Sequence, residues 1–432
     1  MSSCEKILEK RLQGERLTFE DGVQLYACDL LSLGEAAQAV AQCLRHARGN
    51  LRFPSSQKLT PRLVPNGVTF VVDRNISYTN VCTVGCEFCA FHCVPGAPEA
   101  YVLSQEEILQ KVQELVDLGG TQVLIQGGIH PDLKLDYYLD MVHAIHEKYP
   151  QVHIHSFSAI EMDVLSQKSG VALPDLFRRF KEAGLNSMPG GGAEILVERV
   201  RKLISPKKIS SDRWLEVMKT AHEAGLKTTA TMVFGHVETK EERIEHLLKL
   251  RKLQDETQGF RAFIPWSYTP PKSKPGFETQ VQSLALSGVK PAGGDDYLKT
   301  VAISRLMLDN FEHIQSGWLT EGLKLGQIAL AFGCDDMGGT LIEDKVLEPT
   351  GIKVNTRKDD LIRLIRDSGF VPVQRDTNYQ VLKVISEDVI ASREDGEASA
   401  FLKPDCHLPT GQAGAPQSGA CNDARGTDYA SA

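Results

Sequence analysis

The chain reads as an α/β protein built on a full or partial (βα) barrel. From about residue 67, short β-branched or apolar runs alternate with helical segments. Six or more such units follow one another, and strand alternating with helix implies a parallel sheet. Glycine-rich turns follow several of the runs. The number of units suggests a barrel over a flat sheet, although a doubly wound sheet would show the same count.

The elements follow in order. Residues 1–66 read as a helical lead-in. Thr18 is the N-cap of a helix starting within Leu17–Glu20, and "VQLYACDLLSLGEAAQAVAQCLRHAR" continues with apolar residues at helical spacing. The barrel core spans 67–339. Its strands are Val68–Ile76, Gln122–Gln126, Val152–Phe157, Ser187–Met188, Thr228–Phe234, Phe260–Trp266 and His313–Leu319. The helices between and after them are Gln105–Leu118, Tyr137–Lys148, Leu173–Ala183, Glu194–Leu203, Asp212–Ala224, Thr239–Thr257 and Tyr297–Asn310. Residues 340–391 are a mixed segment that completes or covers the barrel. Residues 392–432 are rich in Gly, Ala, Ser, Pro and Asp and are expected to be disordered, with Cys406, His407 and Cys421 of no consequence.

Composition narrows the function. A net charge of −8 lacks the basic excess of a nucleic-acid surface. No apolar run reaches the ~18–20 residues that span a bilayer. The first residues, MSSCEKILEKRLQGERL, are charged and show no signal segment, so neither nucleic acid nor membrane is an expected partner and the expected location is cytoplasmic. In that compartment clustered cysteines bind metal or react more often than they form disulfides.

Four of the ten cysteines fall in "VCTVGCEFCAFHC". Cys82, Cys86 and Cys89 have the spacing C-x3-C-x2-C, and Cys93 follows. Three thiolates would hold a four-iron cluster with one iron left open to a ligand. The alternatives are a closed cluster that also uses Cys93, and a structural zinc site completed by His92 or Cys93. The cysteines follow the first strand directly, and loops at the C-terminal ends of barrel strands carry active sites. No second ligand pair of the zinc-ribbon kind lies nearby. Phe88 and Phe91 flank Cys89 and would exclude water, or simply pack.

Two glycine turns follow later strands. In "LIQGGIHPDL", Gly127 and Gly128 permit close backbone approach to a ligand, or mark a plain turn. In "NSMPGGGAEIL", Gly190, Gly191 and Gly192 form a backbone cradle beside a helix expected to start at Glu194. The pattern is not that of a P-loop. "MVFGHVET" and "FIPWSYTPP" end two further strands with the mixture of aromatic and polar residues that lines small-molecule pockets.

The triplet in "NVCTVGCEFCAF" resembles the motif of radical S-adenosylmethionine (SAM) enzymes. With "SYTNVC", "QGGIHP", "SMPGGGAEIL", "TTATMVFGHVET", "LQDETQGFRAFIPWSYTP", "DDMGGT" and "VPVQRDTNY", the chain from about Leu17 to Tyr379 resembles the cyclic dehypoxanthinylfutalosine synthases of the futalosine route to menaquinone. Aminofutalosine synthases and the enzymes that build the deazaflavin ring share much of this set. His92 and Cys93 depart from it, since the family usually has an aromatic and a basic residue there.

The resemblance implies a barrel of the radical SAM type, with Cys82, Cys86 and Cys89 holding a [4Fe-4S] cluster. It also implies SAM as a cofactor, bound at its methionine end by Gly127, Gly128 and the following turn, with Gly190–Gly192 near its ribose or the substrate. A 5′-deoxyadenosyl radical would take hydrogen from the ribose of dehypoxanthine futalosine, and the ring would close onto the substrate's aromatic carboxylate-bearing ring. A flavodoxin or ferredoxin would supply the electron. Arg375 is the expected contact for the carboxylate, and Trp266 and Tyr268 for the aromatic ring. Glu161, His236 and Glu238 are the candidate bases, because each follows a strand end. His153 and His155 share one face of their strand and are expected to pack.

Overall fold

A computed structural model describes residues 2–47, 64, 66–270, 292–353 and 356–385. The segment expected to be a disordered tail lies outside the described residues.

The lead-in is three helices: α1 (Ser3–Leu12), α2 (Phe19–Leu25) and α3 (Leu30–Ala47). Thr18 caps α2 through a reciprocal pair, accepting from the Asp21 amide at 3.2 Å while Asp21 accepts from the Thr18 amide at 2.9 Å. The helix expected to run on from there stops at Leu25. Asp29 then accepts from the amide and hydroxyl of Ser32, which restarts the chain as α3. A Cys4–Cys28 disulfide ties α1 to this break. No described helix is long and apolar enough to cross a membrane.

The body is a curled parallel sheet. Its strands in chain and spatial order are β2 (Asp73–Ser77), β3 (Gln122–Gln126), β4 (His153–Ser156), β5 (Ser187–Met188), β6 (Lys227–Phe234), β7 (Phe260–Ser267) and β8 (His313–Ile314). Between them run α4 (Gln105–Asp117), α5 (Leu135–Lys148), α6 (Ala159–Ser169), α7 (Leu173–Ala183), α8 (Glu198–Ile204), α9 (Ser211–Glu223), α10 (Lys240–Thr257) and α11 (Gly294–Met307). α12 (Trp318–Glu321), α13 (Leu323–Ile328) and α14 (Lys358–Asp367) follow β8. A second sheet takes β1 (Gly67–Val71), β9 (Asp336–Gly339), β10 (Val371–Arg375) and β11 (Val381–Val384) in the order β11-β10-β1-β9.

Three further expected elements differ. Val68–Ile76 is two strands in two sheets. The Val71 carbonyl accepts from Thr340, beside β9, while the Val72 carbonyl accepts from Thr121, beside β3, so the chain changes partners at this point. His313–Leu319 keeps strand geometry only at its first two residues, and Trp318 begins a helix. The helix expected from Glu194 starts at Glu198.

The second sheet spans the gap between the first and last strands of the curl. Gln315, just past β8, bridges to Asp336 in β9, β9 pairs with β1, and β1 runs into β2. The side-chain alternation of β6 sets the interior. Thr229, Thr231 and Val233 face a central cavity, while Ala230, Met232 and Phe234 are fully buried in the core under the helices.

Candidate functional site

The cysteine loop leaves β2 at the C-terminal end of the sheet. Its backbone is pinned on three sides. Cys82 donates to the Cys93 carbonyl at 3.0 Å, Cys93 to the Asn80 carbonyl at 2.9 Å, and Thr83 to the Ile129 carbonyl at 3.0 Å. Cys93 is thereby the bridge partner of Val81, and the His92 ring sits 2.8 Å from the Cys89 carbonyl. Cys82, Cys86 and Cys89 are unbridged thiols, the first and last half-buried and Cys86 buried. Val84, Ile129 and Ile160 pack with Cys86 in an apolar shell that also touches Cys82, Phe88 and Cys89.

That donor set fits a four-iron cluster. Burial pushes the Cys86 thiol up to about 11, while the buried Lys208 ammonium pulls it down. Thiolates this close in an apolar shell need positive charge, which iron supplies. Among the described residues no three His, Cys, Asp or Glu side chains converge on a single ion.

Gly128 presses on this loop. A Cβ there would lie 2.2 Å from the Val81 carbonyl oxygen and 3.0 Å from the Cys82 Cβ, and one on Gly127 would lie 2.5 Å from the Tyr78 ring. Glu161 holds the same turn. Its Oε1 accepts from the Tyr78 hydroxyl at 2.7 Å and the Gly127 amide at 3.2 Å, and its Oε2 accepts from the amide and hydroxyl of Ser158 at 2.6 Å. Gly128→Ala is expected to cost about 1–3 kcal/mol in denaturant unfolding. It should also lower the iron retained per chain, because relief of the overlap has to displace the main chain that carries Cys82.

Gly190 lies just as close to β6, with 2.6 Å between its would-be Cβ and the Thr229 carbonyl oxygen. Since α8 begins only at Glu198 and is short, the Gly190–Gly192 turn does not sit on a helix N-terminus. Glu194, expected to open that helix, instead lies ahead of it in a left-handed conformation (φ 41°). Its Oε1 takes the Lys208 ammonium at 2.7 Å, and its Oε2 is buried without a partner.

The cysteine loop and the turn through Gly191 and Gly192 open onto a cavity of about 310 Å³, which Gly127, Gly128 and Gly190 do not line. Cys89 and Phe88 line one part of it, Gly191, Gly192 and Glu194 another, and Trp266, Tyr268 and Arg375 also reach it. Four lining side chains carry a buried polar atom without a partner: Asn75 Oδ1, Glu194 Oε2, Arg261 Nε and the Tyr268 hydroxyl. Unpartnered buried polar atoms cost stability unless a ligand meets them.

Arg375 is buried and ion-paired. It grips Asp336 through Nε at 2.5 Å and its terminal nitrogen at 3.0 Å, and its guanidinium lies 3.9 Å from the Tyr379 ring centroid. The three base candidates do not line the cavity. Glu161 is engaged as above. Burial raises the Glu238 carboxyl, but contacts with His236, Arg243 and the Gly235 amide outweigh it and hold the group well below the usual range. The His236 ring has Nε2 at 2.8 Å from the Val233 carbonyl and accepts from the Val237 amide through Nδ1.

The two strand histidines separate in role. The Ser187 hydroxyl bridges His153 Nε2 at 2.7 Å and His155 Nδ1 at 2.6 Å. Burial lowers both, His153 to about 3 and His155 well below its ordinary value. His155, expected only to pack, also lines the cavity. Asn75, Glu194 and Arg261 are site residues that sequence reasoning passed over, although the last two lie inside the quoted motifs "SMPGGGAEIL" and "GFRAFIPW".

Comparison with known proteins agrees with this arrangement. Residues 76–250 match the radical SAM superfamily, and residues 257–388 match the CofH/MqnC C-terminal region. The chain is 41% identical to the cyclic dehypoxanthine futalosine synthase of Halalkalibacterium halodurans, over 91% of this chain and 98% of that one. It is 40% identical to the enzyme of the same name from Streptomyces coelicolor, over 89% and 90%. HydG, a maturase of the [FeFe]-hydrogenase, shares the fold at a TM-score of 0.64 and 15% identity, covering 88% of this chain and 77% of that one. With its three unbridged thiols after β2 and a matching C-terminal region beyond β6, the chain belongs to the radical SAM superfamily, in the family that includes the cyclic dehypoxanthine futalosine synthases.

Proposed function

We propose that this chain is a radical SAM cyclase that converts dehypoxanthine futalosine to cyclic dehypoxanthine futalosine, in menaquinone biosynthesis by the futalosine pathway. The observation that supports it best is the placement of Cys82, Cys86 and Cys89 on a loop that opens through Cys89 onto the cavity. When bound, the cluster and SAM supply a 5′-deoxyadenosyl radical.

The chain's own residues give that chemistry its geometry. Cys82, Cys86 and Cys89 hold the cluster. Gly127 and Gly128 keep the cysteine loop and the SAM methionine end close together, and Glu161 fixes their turn. Gly190–Gly192 and the unpaired oxygen of Glu194 receive the polar groups of SAM. Trp266 and Tyr268 line the end of the substrate space nearest the cysteine loop, and Phe88 with the apolar shell excludes water from the cluster. His236 and Glu238 brace the loop after β6. The same proposal places the protein in the cytoplasm, with flavodoxin or ferredoxin as reductant. It divides the chain into lead-in (1–66), barrel (67–339) and covering segment (340–391).

The test is an anaerobic reaction of reconstituted, reduced protein with SAM and dehypoxanthine futalosine, followed by mass spectrometry. Joint appearance of 5′-deoxyadenosine and the cyclised product is expected. Formation of 5′-deoxyadenosine without that product would move the substrate to a sister enzyme.

A further inference from the structure

We propose that Arg261 is the anion anchor of the cavity and takes the carboxylate on the substrate's aromatic ring, the part that the resemblance assigns to Arg375. The identity of the ring rests on the function proposed above; the need for an anion does not.

Two independent observations lead to Arg261. The first is charge. Arg375 is matched by the two-point grip of Asp336, and Tyr379 covers its guanidinium. Arg261 lines the same cavity with its Nε buried and unpartnered. Its one hydrogen bond among the described residues is a long 3.4 Å bond to the Thr377 carbonyl, and the Asp376 and Glu312 carboxylates act on it only from longer range. A half-buried cation without a close counter-charge is stabilised by an anion that meets it, and the planar fork of arginine matches a carboxylate at two points.

The second observation is a β-bulge. Thr228 pairs with Phe260 but Thr229 pairs with Ala262, so Arg261 is the extra residue of β7. Without it the alternation of the strand would put Arg261 on the side of Phe263. Phe260 and Phe263, three residues apart, instead both pack against Phe311 in the core, the first stacked and the second edge-on, while Ile264 and Trp266 line the cavity. The bulge thus turns Arg261 to the inner face, as bulges near active sites re-aim side chains. Six residues of strand separate Arg261 from Ser267, roughly 20 Å at ~3.3 Å per residue. Arg261 therefore lies at the N-terminal end of the strands, opposite the loops that carry Cys89. A substrate held there by its ring carboxylate would present its sugar toward the cysteine loop.

Two readouts on the reconstituted holoenzyme test this. In the first, kcat and KM are compared for dehypoxanthine futalosine and its ring carboxamide. The wild type should prefer the acid, and Arg261→Gln should lose that preference, mostly through a KM raised about 10- to 100-fold, as expected for a charge-assisted bond. Arg261→Lys should recover part of it. In the second, 3-acetylbenzoate is titrated calorimetrically in the absence of turnover. Binding by the wild type that is lost in Arg261→Gln supports the anchor even if the cyclised product never forms, in which case only the function proposal falls. Arg261→Gln that still prefers the acid, or a wild type that does not bind 3-acetylbenzoate, overturns the anchor. Iron content and far-UV circular dichroism of each variant show whether it is folded and loaded.

Discussion

Cys86→Ala is expected to leave a folded protein that holds no cluster and forms neither 5′-deoxyadenosine nor product above background. Cys86 is the buried member of the triplet, with Val84, Ile129 and Ile160 around it. Free cysteine in such a shell behaves as a small apolar side chain, so alanine removes little packing and the unfolding midpoint should move only slightly. The proposed ligand set, by contrast, would fall from three thiolates to two. Anaerobic reconstitution should give about four irons per chain in the wild type and close to none in the variant. Cys93→Ala separates the open cluster from a closed one. If Cys93 acts only through its main-chain bonds to Asn80 and Cys82, which alanine keeps, that variant retains iron and activity. Loss of the cluster from Cys93→Ala, or its retention in Cys86→Ala, would count against the open triplet.

The parts of this site legible in the sequence are those whose residues are close along the chain. Three cysteines within twelve residues of a strand end state their purpose locally, and so do the glycine turns. The βα alternation was legible for the same reason, since each strand is a short apolar run with a turn after it. What escaped depends on partners distant in sequence. Nothing within Val68–Ile76 marks the change of partner at Val72, which is set by Thr121 and Thr340. α6 was passed over because it lacks a polar stripe: Ala159, Ile160, Glu161, Met162, Asp163 and Leu165 are all buried. Glu161, following a strand, then looked like a catalytic carboxylate, when it caps that helix and holds the Gly127 turn. Arg375 and Arg261 show the same limit. Both are arginines in quoted motifs, and only the register of β6 on β7 and the position of Asp336 tell the matched one from the unmatched one.

The adjacent pair Asp335 and Asp336 shows what such partners contribute energetically. Asp336 grips Arg375, while Asp335 turns the other way. It accepts from Arg305 at 2.7 Å and from the Ile314 amide at 2.9 Å through Oδ1, and lies 2.9 Å from His313 Nδ1 through Oδ2. Burial raises the Asp335 carboxyl, but Arg305 and His313 outweigh that and hold it below the usual carboxylate range. Asp335→Asn is therefore expected to destabilise the protein by about 3–5 kcal/mol, because it leaves the fully buried Arg305 guanidinium without its counter-charge. The pH dependence follows from the direction of the shift. A depressed carboxyl contributes its full stability above its unfolded value, near pH 4, and loses it only as pH falls through the lower folded value. The deficit of Asp335→Asn should accordingly stay constant from about pH 5 to 8 and shrink in more acid solution. Arg305→Met alone should cost a similar amount by orphaning Asp335. The double variant should be more stable than the sum of the two losses predicts, since it removes both charges together. The effect should also reach the cavity. The His313 ring stacks on Tyr379 at 3.7 Å, and Tyr379 lies against Arg375, so an asparagine that no longer holds His313 loosens the wall beside the substrate. Denaturant titration of the four proteins measures the coupling, and additive losses would show that Arg305 and Asp335 act separately.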